Sequence, residues 1–97
     1  LFRSIIYFSG KSNYKKIVFD DHMNISKTFR IKNGVEERRE EYEYEFNSST
    51  GKYEKKVEDS YKNSVLDHKT FYNNNKIENM VWFDEDGNQK TSHKFNE

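Results

Sequence analysis

The feature that most constrains this chain is the spacing of its turns. Clusters of Gly, Asn, Asp and Ser recur as Ser9-Gly10-Lys11-Ser12-Asn13, Asp20-Asp21-His22-Met23-Asn24, Lys32-Asn33-Gly34, Asn47-Ser48-Ser49-Thr50-Gly51, Lys62-Asn63-Ser64, Asn73-Asn74-Asn75 and Asp84-Glu85-Asp86-Gly87-Asn88. These residues tolerate left-handed backbone or bond their own main chain, so they mark reversals. Their centres lie roughly 11 to 16 residues apart, and such regular short spacing predicts a β-meander, sandwich or barrel.

The segments between turns agree. Tyr7-Phe8, Phe19, Phe46, Tyr61, Phe71-Tyr72 and Trp82-Phe83 each precede a turn, and aromatic side chains fit a pleated, half-buried surface. Tyr42, Tyr44 and Phe46 alternate strictly with Glu41, Glu43 and Glu45, while Val81 and Phe83 share one parity and Met80 and Trp82 the other. A period of two puts such residues on one side of a strand. The expected fold is therefore all-β: an antiparallel meander of seven or eight short strands, an open sheet or a slim barrel, with no long helix. The strands fall at about 3–8, 14–19, 25–32, 35–46, 52–61, 65–72, 76–83 and 89–95. A helix over 35–45 competes, because Glu and Arg form helices well, but the run from Tyr42 to Phe46 has the period of a strand. In the hairpin of the fourth and fifth strands, Glu40 to Glu45 are expected to face Lys52, Lys55 and Lys56.

Composition excludes several classes. The 97 residues make one domain, 1–97, and a start at Leu1 rather than Met reads as a piece of a longer chain. Only 32% of the residues are hydrophobic, and half of that share is aromatic. No apolar run approaches the roughly 20 residues that span a bilayer, so no membrane span is expected. There is no Cys, hence no disulfide framework and no thiolate metal site. The 17 basic residues balance 17 acidic ones, which argues against a nucleic-acid binder. Sixteen aromatics and zero net charge oppose disorder. The first residues are too short and aromatic for a signal segment, and the sequence leaves the compartment open between the cytoplasm and export with a leader already removed. No amphipathic helix is available to cover an apolar sheet face. The sheet is expected to curl on itself, stack on another copy or continue into further sequence, with the Phe residues as its core.

A unit repeats: an aromatic, a few turn residues, then a polar strand. It reads Val18-Phe19-Asp20-Asp21-His22-Met23-Asn24, Phe71-Tyr72-Asn73-Asn74-Asn75-Lys76 and Trp82-Phe83-Asp84-Glu85-Asp86-Gly87-Asn88-Gln89-Lys90. It resembles the MORN-like repeats of bacteria, including antitoxin proteins of that type, whose units run Tyr-x-x-Asn-Gly-Lys. Lys32-Asn33-Gly34 and Asp86-Gly87-Asn88 come nearest to that turn, and the Gly-rich spacing of the family is missing elsewhere. The resemblance implies antiparallel hairpin repeats that act mainly by protein contact.

Constellations that carry chemistry are absent from the pattern. Asp84-Glu85-Asp86-Gly87-Asn88 starts like an EF-hand loop, but its Gly comes too early and no Glu stands at the twelfth position. His22, His68 and His93 are scattered singly, without metal-ligand spacing. His68 follows Asp67, but adjacent strand residues point to opposite faces. The carboxylates from Glu36 to Glu45 read as a charged strand face. The expectation is a protein that is not an enzyme and uses no cofactor and no metal.

The aromatics Tyr42, Tyr44, Tyr53, Tyr61, Tyr72 and Trp82 exceed what so small a core needs, and Tyr and Trp are enriched at recognition surfaces. Charge is uneven: residues 1–32 carry seven basic and two acidic residues, and 33–60 carry five basic and nine acidic. This pattern suits complementary strands, or a dipolar surface that steers a charged partner. The expected function is a protein-binding module, of antitoxin, immunity or surface-interaction type, with Tyr42, Tyr44, Tyr53, Trp82, Glu43 and Glu45 as contact residues. Alternatives are a small barrel carrying an apolar ligand and a carbohydrate-binding module using the aromatic row. Ile5, Ile6, Tyr7 and Phe8 form the most apolar run, at an open edge, and predict a homodimer through the first strand.

Overall fold

Eight strands form between the predicted reversals: β1 (Arg3–Phe8), β2 (Tyr14–Phe19), β3 (Ile25–Lys32), β4 (Val35–Asn47), β5 (Lys52–Lys62), β6 (Val65–Asn73), β7 (Lys76–Phe83) and β8 (Gln89–Lys94). The computed structural model describes residues 3–8 and 10–95, with the side chains of Tyr7 and Phe8 outside the described set. Every strand runs antiparallel to its predecessor, and the sheet order is β1 through β8. The sheet is open, with β1 and β8 at opposite edges. Residues 35–45 are strand. Among the described residues, contacts between strands join only neighbours in sequence.

The turns fix this order. Three reversals are two-residue loops in which both central residues have positive φ: Asn33 at 53° and Gly34 at 75°, Asn63 at 51° and Ser64 at 66°, Asn74 at 53° and Asn75 at 63°. This is the type I′ turn, whose twist matches that of the flanking strands. Gly is free of the left-handed penalty at the second position, and Ser is not. Ser64→Gly is therefore expected to stabilise the protein by about 0.5–1 kcal/mol, read as a higher urea midpoint. A lower midpoint would show that the Ser64 Oγ contact to Glu36 Oε2, at 3.3 Å, matters more.

Two longer reversals share one geometry. Asp20 Oδ1 accepts from the amides of His22 and Asn24, and Asp84 Oδ1 accepts from those of Asp86 and Asn88, all at 2.9 Å. In each loop the amide of the first Asp donates to the fifth residue's carbonyl at 2.8 Å. The Asp84 carboxylate thus closes its own turn, as the Asp20 carboxylate does.

A second regularity lies in the ladders. From β2–β3 onward, each pairing carries one β-bulge among the described residues, always with the extra residue on the later strand. The extra residues are Ser26, Glu37, Lys56, Asp67, Glu78 and Lys90, all polar. After each type I′ turn the bulge falls on the third strand residue and is acidic: Glu37, Asp67 and Glu78. Bulged carbonyls are used: Asn63 N donates to Glu37 O and Phe95 N to Glu78 O, both at 2.9 Å. A bulge bends the strand, adds twist and re-aims side chains.

The sheet is a single layer, measuring 43 × 35 × 20 Å. Its 7160 Å² of accessible surface exceeds the about 5,900 Å² expected of a compact protein of this mass. No described hydrophobic residue is buried; the buried residues are Ser60 and Thr70, at 4% and 3% exposure. The expectation of a phenylalanine core is corrected: Phe19, Phe29, Phe71 and Phe83 are half-buried, and Phe46 and Phe95 are exposed. The sheet does not curl closed. Each face instead mixes aromatics with charged stems, which cover apolar surface while keeping their heads in water.

The β4–β5 hairpin forms, but the expected pairing of its acids with its lysines does not. Glu41 lies opposite Asp59, Glu45 opposite Glu54, and Tyr44 opposite Lys55. The Asn47–Gly51 loop, closed by Gly51 N to Asn47 O at 2.8 Å, and the bulge at Lys56 fix this register. It places Phe46 against Tyr53, ring centroids 5.1 Å apart. The like charges are relieved sideways: Glu41 by Arg39 at 2.8 Å, Asp59 by Lys69 at 3.4 Å and Glu54 by Lys56 at 3.9 Å.

Candidate interaction face

Register and the period of two assign residues to faces. One straight rung crosses all eight strands on what is here the front face: Ile5, Ile17, Thr28, Glu40, Ser60, His68, Trp82 and Thr91. The next rung on that face holds Tyr42, Glu58, Thr70, Met80 and His93. A third holds Tyr44 and Lys55, with Tyr72 and Ile77 alongside, and Phe46 and Tyr53 follow near the Asn47–Gly51 loop. Tyr42, Tyr44, Tyr53 and Trp82 therefore share the front face. Glu43 and Glu45 stand on the back, where Glu43 lies opposite Val57. Trp82 is three strands away from Tyr42, roughly 14 Å, with the small buried Ser60 and Thr70 between them.

The tyrosines are held in place. Lys55 Nζ lies 4.6 Å from the Tyr42 ring centroid and 5.3 Å from that of Tyr72, a double cation–π contact. Glu58 Oε1 sits 3.6 Å from the same ammonium and accepts from the Tyr72 hydroxyl at 3.2 Å. The Tyr44 hydroxyl donates to the Ile25 carbonyl at 2.7 Å. Tyr53 stacks on His22 at 4.7 Å, which ties the Asp20–Asn24 turn to the aromatic patch. Burial, and then the Glu58 carboxylate, pushes the Tyr72 hydroxyl up to about 12. Burial also raises Tyr42 and Tyr44, with nearby carboxylates adding to the effect.

Sequence reasoning on His68 is corrected. Its Nδ1 lies 2.7 Å from Asp67 Oδ2, because Asp67 is the extra residue of a bulge and a bulge turns consecutive side chains toward one another. The His68 ring sits 6.0 Å from Trp82. Ser60 lies directly opposite His68, but no hydrogen bond joins the two side chains among the described residues, and Ser60 is almost inaccessible. His22 and His93 are elsewhere, His93 edge-on to Phe95 at 4.6 Å. Among the described residues, no three His, Asp or Glu side chains are grouped to hold a metal ion, and no helix is long and apolar enough to cross a membrane.

The back face centres on Arg39. Its guanidinium lies 3.0 Å from Glu36 Oε2 and 2.8 Å from Glu41 Oε2, and 4.1 Å from the Tyr61 ring. Burial works against its charge, but Glu36 and then Glu41 outweigh it and raise its pKa. Tyr61 thus belongs to this cluster, on the face opposite Tyr42, Tyr44, Tyr53 and Tyr72. The contacts of Lys55 with Tyr42 and Tyr72, the Asp67–His68 contact and the Arg39 cluster escaped sequence reasoning. The signal that could have found the second is a type I′ turn with an acid at the third residue after it. No protein-family model matches the chain, and no curated protein and no solved structure matches it.

Proposed function

We propose that the chain is a non-catalytic protein-binding module, of antitoxin, immunity or surface-interaction type, and that it works through the front face. The observation that supports this most is the set of Tyr42, Tyr44, Tyr53, Tyr72 and Trp82 on one face of a sheet with no buried apolar side chain among the described residues. Rings with few torsions, pinned by Lys55, Glu58 and the Ile25 carbonyl, lose little entropy when a partner docks. The MORN-like resemblance belongs to the same proposal, since a row of hairpins offers a broad surface. The open sheet leaves a barrel carrier without its enclosed cavity. Pull-down from the native host tests the reading. A protein partner is expected with the wild type and lost with Tyr53→Ala together with Trp82→Ala, while recovery of a sugar or lipid alone rejects it.

Self-association through β1 is the second part of the proposal. Ile5 and Ile6 are 44% and 42% exposed on the edge strand, whose outer backbone groups meet no neighbouring strand among the described residues. The expected result in light scattering is a dimer for the wild type and a monomer for Ile6→Lys, both folded. A monomeric wild type at about tens of micromolar rejects the dimer.

A further inference from the structure

A row of four cations crosses the front face. Lys15 lies directly opposite Arg30, Arg30 opposite Arg38, and Arg38 opposite Lys62. The four sit on consecutive strands and span roughly 14 Å at the usual strand spacing. Like charges placed directly opposite destabilise a ladder. Elsewhere on the sheet such pairs are relieved by an ion pair, as Glu41 is by Arg39 and Asp59 by Lys69. No ion pair reaches any of these four cations among the described residues. Glu40, one rung along, accepts from Thr28 Oγ1 at 2.9 Å, and Glu37, the extra residue of the bulge, directly precedes Arg38. The row therefore stands as concentrated positive charge on a chain whose net charge is zero.

The row also borders a groove of about 310 Å³. Lys15, Arg30 and Arg38 line it on one side, Ile17, Ile25 and Tyr42 on the other, and Thr28 and Glu40 lie between them. We infer that this row and groove bind an acidic, aromatic-bearing segment of a protein partner, with carboxylates on the cations and apolar side chains against Ile25 and Tyr42. The inference rests on the protein-binding reading above and names the chemistry of the partner. Two observations favour a peptide over a nucleic acid. Glu40 and Glu58 lie on the same face within two rungs of the cations, so a ligand charged at every position would meet repulsion there. The apolar side of the groove has no counterpart in a phosphate backbone. Arg30 and Arg38 supply paired planar forks, which suit carboxylates.

The test is fluorescence anisotropy with three labelled probes: the peptide Glu-Glu-Phe-Glu-Glu-Phe-Glu-Glu, its counterpart with Lys in place of Glu, and an oligothymidylate of similar length. The acidic peptide is expected to bind the wild type and the Lys peptide not to. Arg30→Glu with Arg38→Glu is expected to weaken that binding at least about tenfold, or 1.4 kcal/mol, and added salt to weaken it as well. Lys15→Gln with Arg30→Gln serves if the first pair fails to fold, judged by its β-sheet circular dichroism. No binding of the acidic peptide, tighter binding of the oligothymidylate, or affinity unchanged by the variants would each overturn the inference. Pull-down with the same variants separates the two levels. A partner retained in full by the Arg30/Arg38 variant overturns the acidic-segment inference and leaves the protein-binding reading standing. A wild type that captures no protein overturns both.

Discussion

Arg39→Ala is expected to destabilise the protein by about 2 kcal/mol, more than truncation of Phe71 or Leu66. Arg39 is only 22% exposed, joins Glu36 and Glu41, and lies over Tyr61. An exposed ion pair alone contributes little, but here one guanidinium combines two charge-assisted contacts, a cation–π contact and a packed stem. Its removal leaves Glu36 and Glu41 without their shared cation and in reach of each other's charge. Phe71→Ala and Leu66→Ala remove half-buried side chains, and each is expected to cost about 1 kcal/mol, below the range for fully buried ones. Urea unfolding of the three variants decides the order. If Phe71→Ala costs more than Arg39→Ala, apolar burial governs the stability of this sheet after all.

The second large effect is loss of the fold in alkali. Tyrosines of an unfolded chain titrate near a pKa of about 10. In the folded protein Tyr72 is held up to about 12 by burial and then by Glu58, and Tyr42 and Tyr44 are raised in the same direction by burial. A pKa raised by folding contributes stability that is fully present below the unfolded value and is lost as pH rises through the folded one. Stability is therefore expected to fall between pH of about 10 and 12, with tyrosinate absorbance and loss of β-sheet circular dichroism rising together. Tyr72→Phe is expected to remove its share of that dependence. Full ionisation near pH of about 10 with the sheet intact would contradict the raised values.

The strand map was legible because turn chemistry is local. Asn33-Gly34, Asn63-Ser64 and Asn74-Asn75 announce their reversals without reference to the rest of the chain, and each observed strand limit lies within one residue of the one expected. Pairing across strands was not legible in the same way. One inserted residue shifts a register and swaps the faces beyond it, and the hairpin β4–β5 shows the consequence. With Lys56 bulged, Lys55 turns to Tyr42 and Tyr72 on the front and not to the acids of β4. The alternation of Tyr42 and Tyr44 with Glu43 and Glu45 was plain in the sequence. It puts the tyrosines and the glutamates on opposite faces, so one partner surface meets only one of these sets. Lys15, Arg30, Arg38 and Lys62 lie far apart in sequence, and only the accumulated register of three ladders brings them into a row.

The restriction of contacts to neighbouring strands has a mechanical consequence. In a sandwich or barrel, a pull on two elements is resisted in parallel by a shared core and by many bonds at once. Here the ladders between β1 and β8 are arranged in series, and tension applied through those two edge strands reaches each hairpin only through the one before it. Antiparallel hydrogen bonds lie perpendicular to their strands, so a hairpin loaded from its open end yields bond by bond. The sheet should therefore open under force as a zipper, at low load and in discrete steps, one hairpin per step.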